Sequence, residues 1–202
     1  LSFYGIAMLL GVYICAMTSW WLVVVGLVCM LTGYLYTGGP YPIAYSPFGE
    51  LVSGAVMGMG IVLIAFFIQT GDVTADAVII SVPSMILVGA IMLSNNIRDI
   101  VGDTEGGRKT MAILVGRHNA VTVLAGFFIV SYIWIAGLVI LGHLTPWALL
   151  VLLSVKKPIE AIKLFRAKEK PLEVMPAMKY TAQTNTIFGF LLAVGLLVSY
   201  FI

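Results

Sequence analysis

An all-α bundle of helices crossing a lipid bilayer is the fold this sequence predicts, and three observations predict it. Apolar residues fill 61% of the 202 positions and charged residues only 10%, with a mean hydropathy of +1.08. A water-soluble domain is near half apolar and a quarter charged, so these charges are too few to cover a surface that faces water. The apolar residues also fall into runs near the roughly 20 residues that a helix needs to cross about 30 Å of hydrocarbon. Helices are required there because lipid offers no partner to an unpaired backbone N–H or C=O. Finally, the positive charges are sorted. All 11 Lys and Arg lie in two windows, with Arg98, Arg108, Lys109 and Arg117 in one and Lys156, Lys157, Lys163, Arg166, Lys168, Lys170 and Lys179 in the other. Basic loops concentrate on the cytoplasmic side of a membrane, so both windows are expected to face the cytoplasm.

About seven spans are expected, at roughly 1–17, 20–37, 48–68, 76–94, 120–141, 146–166 and 182–202. The first opens on Leu1 with no basic region or small-residue cleavage site of a signal peptide, so further sequence is expected upstream. Cys15 and Cys29 sit inside the first two apolar runs, where free cysteine acts as a small hydrophobe, and neither a disulfide nor a metal site is expected of them. The third span carries Gly54 and Gly58 as a G-x-x-x-G pair, which predicts close approach of a neighbouring helix. Glu50 at its start is favoured by the helix dipole without any further role. In the sixth, the apolar stretch from Pro146 to Val155 is short, and Pro158 is expected to kink the helix as it leaves the membrane.

Counting spans puts the two basic windows and the 38–47 loop on one face. The opposite face receives only short links near 18–19, 69–75 and 142–145, which hold no Lys or Arg. Span count and charge bias therefore agree.

Chemistry concentrates at the end of the fourth span, in Ser94-Asn95-Asn96-Ile97-Arg98-Asp99-Ile100-Val101-Gly102-Asp103-Thr104-Glu105-Gly106-Gly107-Arg108-Lys109-Thr110. On a helix, Asp99 and Asp103 stack on one face about 5–6 Å apart at Cβ, with Asn95 one turn earlier. Two such carboxylates repel unless a cation is shared between them, and Mg²⁺ suits the pair: it takes hard oxygen ligands and completes its shell with water and phosphate. Arg98, Arg108 and Lys109 offer positive charge to a diphosphate. Gly106-Gly107 permits a tight turn that returns the Arg-Lys pair toward the aspartates. Polar groups at a membrane boundary are costly and usually functional.

The run N-N-I-R-D-I-x-x-D followed by G-G-R-K-T-M-A-I-L-V-G-R resembles the second aspartate-rich motif of the UbiA superfamily of intramembrane prenyltransferases. Tyr34 to Pro42 (Y-L-Y-T-G-G-P-Y-P), Gly49-Glu50-Leu51 and Thr181 to Thr186 (T-A-Q-T-N-T) resemble the branch whose acceptor is 1,4-dihydroxy-2-naphthoate, so the similarity runs over essentially the whole chain. The resemblance implies a Mg²⁺-dependent enzyme of menaquinone synthesis. In that reaction a polyprenyl diphosphate ionises, the electron-rich acceptor ring attacks C1 and the ring carboxylate leaves as CO₂, giving demethylmenaquinone. It implies metal binding and catalysis by Asp99 and Asp103 with Asn95, and substrate binding by Asn96, Arg98, Arg108, Lys109, Tyr41 and Tyr45. The partners implied are the isoprenoid diphosphate, the aromatic acceptor and the bilayer, with no nucleic acid. The setting implied is the bacterial inner membrane, with the active-site loops cytoplasmic. Family members carry nine helices and a first motif, N-x-x-x-D-x-x-x-D, which does not occur in these 202 residues. The chain is therefore expected to form one domain over 1–202 that corresponds to helices three to nine and begins just after that motif.

Tyr36, Tyr41 and Tyr45 lie on the side where an allylic cation would form, and aromatic faces stabilise a cation by roughly 0.5–2 kcal/mol each; interfacial tyrosines are also an ordinary aromatic belt. Asn185 and Thr184 suit either a cavity or hydrogen bonds between helices. His118 and His143 fall on opposite sides and make no zinc or histidine-pair pattern. The basic stretch from Lys156 to Lys170 reads as an anchor on the positive side. Other readings are the same chemistry on 4-hydroxybenzoate, or a helical membrane fragment without catalytic role. A transporter predicts ionisable residues within the spans, which hold almost none.

Overall fold

The computed structural model describes residues 2–202; Leu1, where the first expected span begins, lies outside them. Among the described residues every regular element is helical. Helices α1 (Ser2–Met17) and α2 (Trp21–Thr37) are followed by a 3-10 turn at Ile43–Tyr45. Helix α3 (Gly49–Ser53) continues through a π-helical turn, Gly54–Gly60, into α4 (Ile61–Thr70). Then come α5 (Ala75–Glu105), the short α6 (Met111–Val115), α7 (Arg117–Ile140), a 3-10 segment at Pro146–Ser154, α8 (Lys156–Ala167) and α9 (Pro171–Phe201).

Among the described residues, four helical rods are long and apolar enough to cross a membrane: Gly49–Thr70, Ala75–Glu105, Arg117–Ile140 and Pro171–Phe201. Helices α1 and α2 are apolar but shorter, with 16 and 17 residues. The structure departs from the sequence reading at two spans. The sixth, expected at 146–166, is not one helix but a 3-10 segment followed by α8. A 3-10 helix rises about 2.0 Å per residue against 1.5 Å for an α-helix, so the tighter winding makes a short apolar run reach farther. The last span begins at Pro171, well before the expected 182. Proline is at home in a first helical turn, where its missing N–H has no partner to lose, and Val174 and Ala177 on the added turns are fully buried.

Helices α5, α7, α8 and α9 and the 3-10 segment pack around one core. Leu87, Leu93 and Ile97 of α5 meet Leu124, Phe128 and Ile135 of α7 and Phe188 of α9 in it. Close approach rests on glycine at two seams. A Cβ on Gly54 would sit 2.3 Å from the Met85 carbonyl oxygen, and one on Gly58 would sit 2.5 Å from that of Ser84, so the π turn is a notch that receives the α5 backbone. The G-x-x-x-G pair thus serves packing within the bundle, as the sequence predicts. On α9, a Cβ on Gly195 would lie 2.5 Å from the Trp147 carbonyl oxygen, which seats the 3-10 segment. Tyr132 Oη and Ser154 Oγ, 2.6 Å apart, close that joint with a buried hydrogen bond.

Pro83 lies inside α5 and lacks the N–H that would meet the Ile79 carbonyl one turn back. The Trp134 indole Nε1–H of α7 donates to that carbonyl instead, at 2.7 Å. A neighbouring helix repairs the helical ladder, as a hydrocarbon environment demands.

The connecting segments gather at two ends, as the span count predicts. At one, the Asp76 carboxylate is 3.1 Å from His143 Nδ1. At the other, the Lys109 N–H donates to the Tyr45 carbonyl (2.8 Å), tying the 38–47 segment to the aspartate motif. Arg117 draws in the second basic window: its guanidinium donates to the carbonyls of Ile97 (3.0 Å), Phe165 (3.1 Å) and Lys168 (2.5 Å). One side chain so fastens α5, α7 and α8 at the end that carries the polar motif.

Candidate active site

The 31 residues of α5 span about 46 Å, more than the roughly 30 Å of a bilayer core, so one end must project. Counted from Ala75, some 20 residues reach Ser94, and the polar motif occupies the turns beyond. Asn95, Asp99 and Asp103 follow one another at helical turns, because α5 stays regular to Glu105.

The helix then ends in a Schellman turn. Gly107 adopts φ +72°, its N–H donates to the Thr104 carbonyl (3.1 Å), and the Arg108 N–H donates to the Asp103 carbonyl (2.9 Å). In this motif the second residue past the helix end folds back over the third residue before it. An apolar contact usually fills that place; here Arg108 Nη1 meets Asp103 Oδ1 at 3.1 Å. The turn that Gly106-Gly107 predicts is present, and its hydrogen bonding explains why the cation returns to Asp103. The Arg108 guanidinium also lies 4.6 Å from the centroid of the Tyr45 ring, so an aromatic face and a carboxylate share one cation.

Asp103 keeps only 10% of its side chain exposed, and its Oδ2 is buried without a hydrogen-bond partner. Asp99 is 40% exposed, and both its oxygens accept from Arg98: Oδ1 from Nε at 2.6 Å and Oδ2 from Nη2 at 2.5 Å. Arg98 Nη1 reaches onward to the Met175 sulfur of α9 at 3.6 Å. Two carboxylates one turn apart, one with a free buried oxygen, fit a Mg²⁺ ion shared with substrate phosphate. They do not make a cage from protein alone, since no group of three or more His, Cys, Asp or Glu side chains among the described residues is placed to hold a metal.

The remaining sequence-predicted residues divide. Asn96 is buried, and its Nδ2 donates to Glu50 Oε1 at 2.9 Å. Asn95 is half-buried on the aspartate side of α5. Lys109 joins the site through its backbone, while its side chain is exposed. Tyr45 packs on Arg108, but Tyr41 stands 90% exposed in the segment before the 3-10 turn. Thr184 is fully buried, with its hydroxyl donating to the Tyr180 carbonyl of its own helix (2.8 Å).

Glu50 was read from sequence as a helix-start residue, and the structure gives it another setting. It is 2% exposed, paired with Asn96, and its Oε2 is buried without a partner. The pair is buried across the seam between α3 and α5, with Asn96 three residues before Asp99. The motif-like Gly49-Glu50-Leu51 was the available signal; what was missing was the knowledge that α3 crosses α5 at that level, where the Glu50 carbonyl lies 3.1 Å from where a Cβ on Gly89 would be.

The chain belongs to the UbiA prenyltransferase family, which it matches over residues 1–179. It is 62% identical over 201 residues to the 1,4-dihydroxy-2-naphthoate octaprenyltransferase of Bacillus subtilis, covering 100% of this chain and 65% of that protein. It is 25% identical over 185 residues to the protein of that name from Mycobacterium tuberculosis, covering 92% of this chain and 62% of that one. With the UbiA prenyltransferase domain-containing protein 1 of Dictyostelium discoideum it shares 33% identity over 165 residues, 81% of this chain and 48% of that protein. The chain thus spans a little under two thirds of the length of the first two relatives. No solved structure matches it.

Proposed function

We propose that this protein transfers a polyprenyl group from an isoprenoid diphosphate to 1,4-dihydroxy-2-naphthoate within the bacterial inner membrane, with residues 1–202 acting as one domain. The observation that carries the reading is Asp103, whose buried carboxylate has one oxygen on Arg108 and the other free, at a helix end one turn past Asp99. The acceptor follows from the name of the 62% identical Bacillus subtilis relative. The positive-inside bias supports a cytoplasmic site, because both basic windows lie at the end that holds the aspartates.

Asp99 and Asp103 would hold Mg²⁺, which when bound offsets the negative charge that develops on the departing diphosphate. Arg108 is fixed by Asp103 and Tyr45 beforehand, so it meets that charge with little reorganisation, and such preorganised donors contribute several kcal/mol toward a barrier. Lys109 adds a mobile point charge on the same turn. The Tyr45 face helps keep water from the allylic carbon. Asn96 and Glu50 hold α3 against α5, so that the aspartates keep their register. In the overall exchange the C1–oxygen bond to diphosphate breaks, a bond from C1 to the ring forms, and the ring carboxylate leaves as CO₂, giving the prenylated naphthoquinol.

The test is transfer by the full-length protein in lipid nanodiscs, followed by mass spectrometry of the products. Prenylated naphthoquinol is expected from 1,4-dihydroxy-2-naphthoate and none from 4-hydroxybenzoate. Chelation with EDTA should stop the reaction and added Mg²⁺ should restore it. Transfer that is indifferent to chelation, or that prefers 4-hydroxybenzoate, would overturn the reading.

A further inference from the structure

Two cavities follow one another along the seam between α7 and α8. The deeper one, of about 310 Å³, is apolar. Phe128 and Tyr132 lie at its base, 3% and 9% exposed, while Ile129 and Ile159 on its flanks are 57% and 48% exposed, so its walls can be reached from outside. The outer one, of about 370 Å³, is polar and takes in Arg117, His118 and Glu169. Arg166 lines both, and Lys163 stands beside it on the deeper one. Neither cavity draws a residue from α5 or α9, so the seam is separate from the aspartates. We infer that this seam binds one anionic phospholipid of the bilayer, with an acyl chain in the deeper cavity and the phosphate at Arg166 and Lys163.

The order of chemistry along the seam selects this ligand. Arg117 begins α7 and clamps the Phe165 and Lys168 carbonyls, which puts Arg166 at the end of the bundle that holds the polar motif. Tyr132 lies about 22 Å deeper along α7, at about 1.5 Å per residue. A cleft that is cationic at the membrane surface and apolar below matches a molecule with an anionic head and a hydrocarbon tail. A soluble anion leaves the deeper cavity unfilled, and a neutral apolar ligand leaves the cations unmatched. A partner helix about 10–12 Å across is too wide to enter a cleft of this size.

Apolar contact cannot choose one lipid over another, because hydrocarbon is already the solvent, so selection falls to the head. Arg166 is exposed and makes no ion pair among the described residues. Arg117 gives its hydrogen bonds to carbonyls, so its charge is matched by no carboxylate either. Lys163 is 3.0 Å from Glu160, but both are exposed, and such pairs hold too weakly to keep the ammonium from a phosphate. Glu169 in the outer cavity opposes an anion, and Lys168 and Lys170 flank it in sequence and offset it. Basic pockets between helices on the cytoplasmic side are suited to anionic lipid heads.

The experiment is native mass spectrometry of the full-length protein in detergent, titrated with phosphatidylglycerol or with phosphatidylcholine of the same chains. The parent protein should bind its first phosphatidylglycerol about tenfold more tightly than phosphatidylcholine. Each basic side chain lost from the seam should weaken that lipid roughly fivefold, so Lys163→Gln combined with Arg166→Gln should abolish the preference. Ala125→Phe fills the deeper cavity without altering a charge, and it should weaken the first phosphatidylglycerol as well. Lys170→Gln, outside both cavities, should match the parent protein; equal melting temperatures of the lipid-free proteins exclude misfolding. No preference in the parent, or undiminished binding in either seam variant, would overturn the inference. An equal loss in Lys170→Gln would do the same, since it would reveal a diffuse surface charge in place of a site. Displacement of the bound lipid by geranyl diphosphate would assign the seam to an isoprenoid diphosphate and overturn the inference too.

Discussion

Between Gly5 and Thr70 the chain leaves large apolar side chains such as Met8, Leu9 and Met30 open on its outer surface, with only Cys15 and Leu22 buried among the described apolar side chains, whereas the main hydrophobic cluster runs from Leu87 onward. Apolar content does not separate the two regions. What separates them is small residues and placed polar groups. Ala90, Ala112, Ala120, Ala161 and Ala177 have no exposed surface, and Ser131, Thr110 and Thr184 are equally sealed. In lipid, bringing two leucines together gains little, because the solvent is as apolar as they are; contact comes from close backbone approach and from hydrogen bonds between helices. The two regions differ in where such small and polar residues sit, sealed between helices in the packed half and left on the surface in the open one, and not in how many each holds.

The sharpest way to break this contrast is at Asp103, a sealed polar residue of the packed half. Asp103→Asn keeps the shape and the partner but removes the charge, and should lower transfer at least 100-fold, with membrane insertion unchanged when followed by protease protection. Next comes the seam between the halves. Gly58→Val must displace the Ser84–Met85 backbone, so it should lower the unfolding free energy in detergent titration by about 1–3 kcal/mol. Arg117→Met strips three carbonyls of a charged donor, and a loss of about 2 kcal/mol by the same titration is expected. At the small end, Gly26 of α2 has open space where a Cβ would go, so Gly26→Ala should cost nothing and add up to about 1 kcal/mol of helix stability. A Gly26→Ala penalty as large as that of Gly58→Val would erase the distinction between the regions.

The sequence made the membrane class legible because lipid imposes length, apolarity and charge sorting on any chain that crosses it. It also made the Asp99–Asp103 register and the return of Arg108 legible, since both follow from local rules, helical spacing and a glycine turn. Three things were hidden. The π turn at Gly54–Gly60 exists to fit the Ser84–Met85 backbone, a partner some 30 residues away that no local pattern announces. The 3-10 segment Pro146–Ser154 is seated by Gly195, 48 residues after Trp147, and by Tyr132, 22 residues before Ser154, which no local pattern announces either. Glu50 looked like a helix-start residue because its dipole preference is local while its bond to Asn96 is not. The extra turns of α9 were missed because Lys179 belongs to the second basic window, although Pro171 stands in a first helical turn, where proline is no obstacle.

The Arg117 clamp sets an order of events as the chain is made. Its three acceptors lie 20 residues before it and 48 and 51 residues after it. Ile97 is already part of the chain when Arg117 is added, but Phe165 and Lys168 are not. Until α8 emerges, the guanidinium has one protein carbonyl and must draw the rest of its hydration from the water at the membrane surface. The bonds of the aspartate-bearing end of α5 to Glu50 and Tyr45 can form as α5 is completed, whereas its fastening to α8 waits until Phe165 and Lys168 have been made.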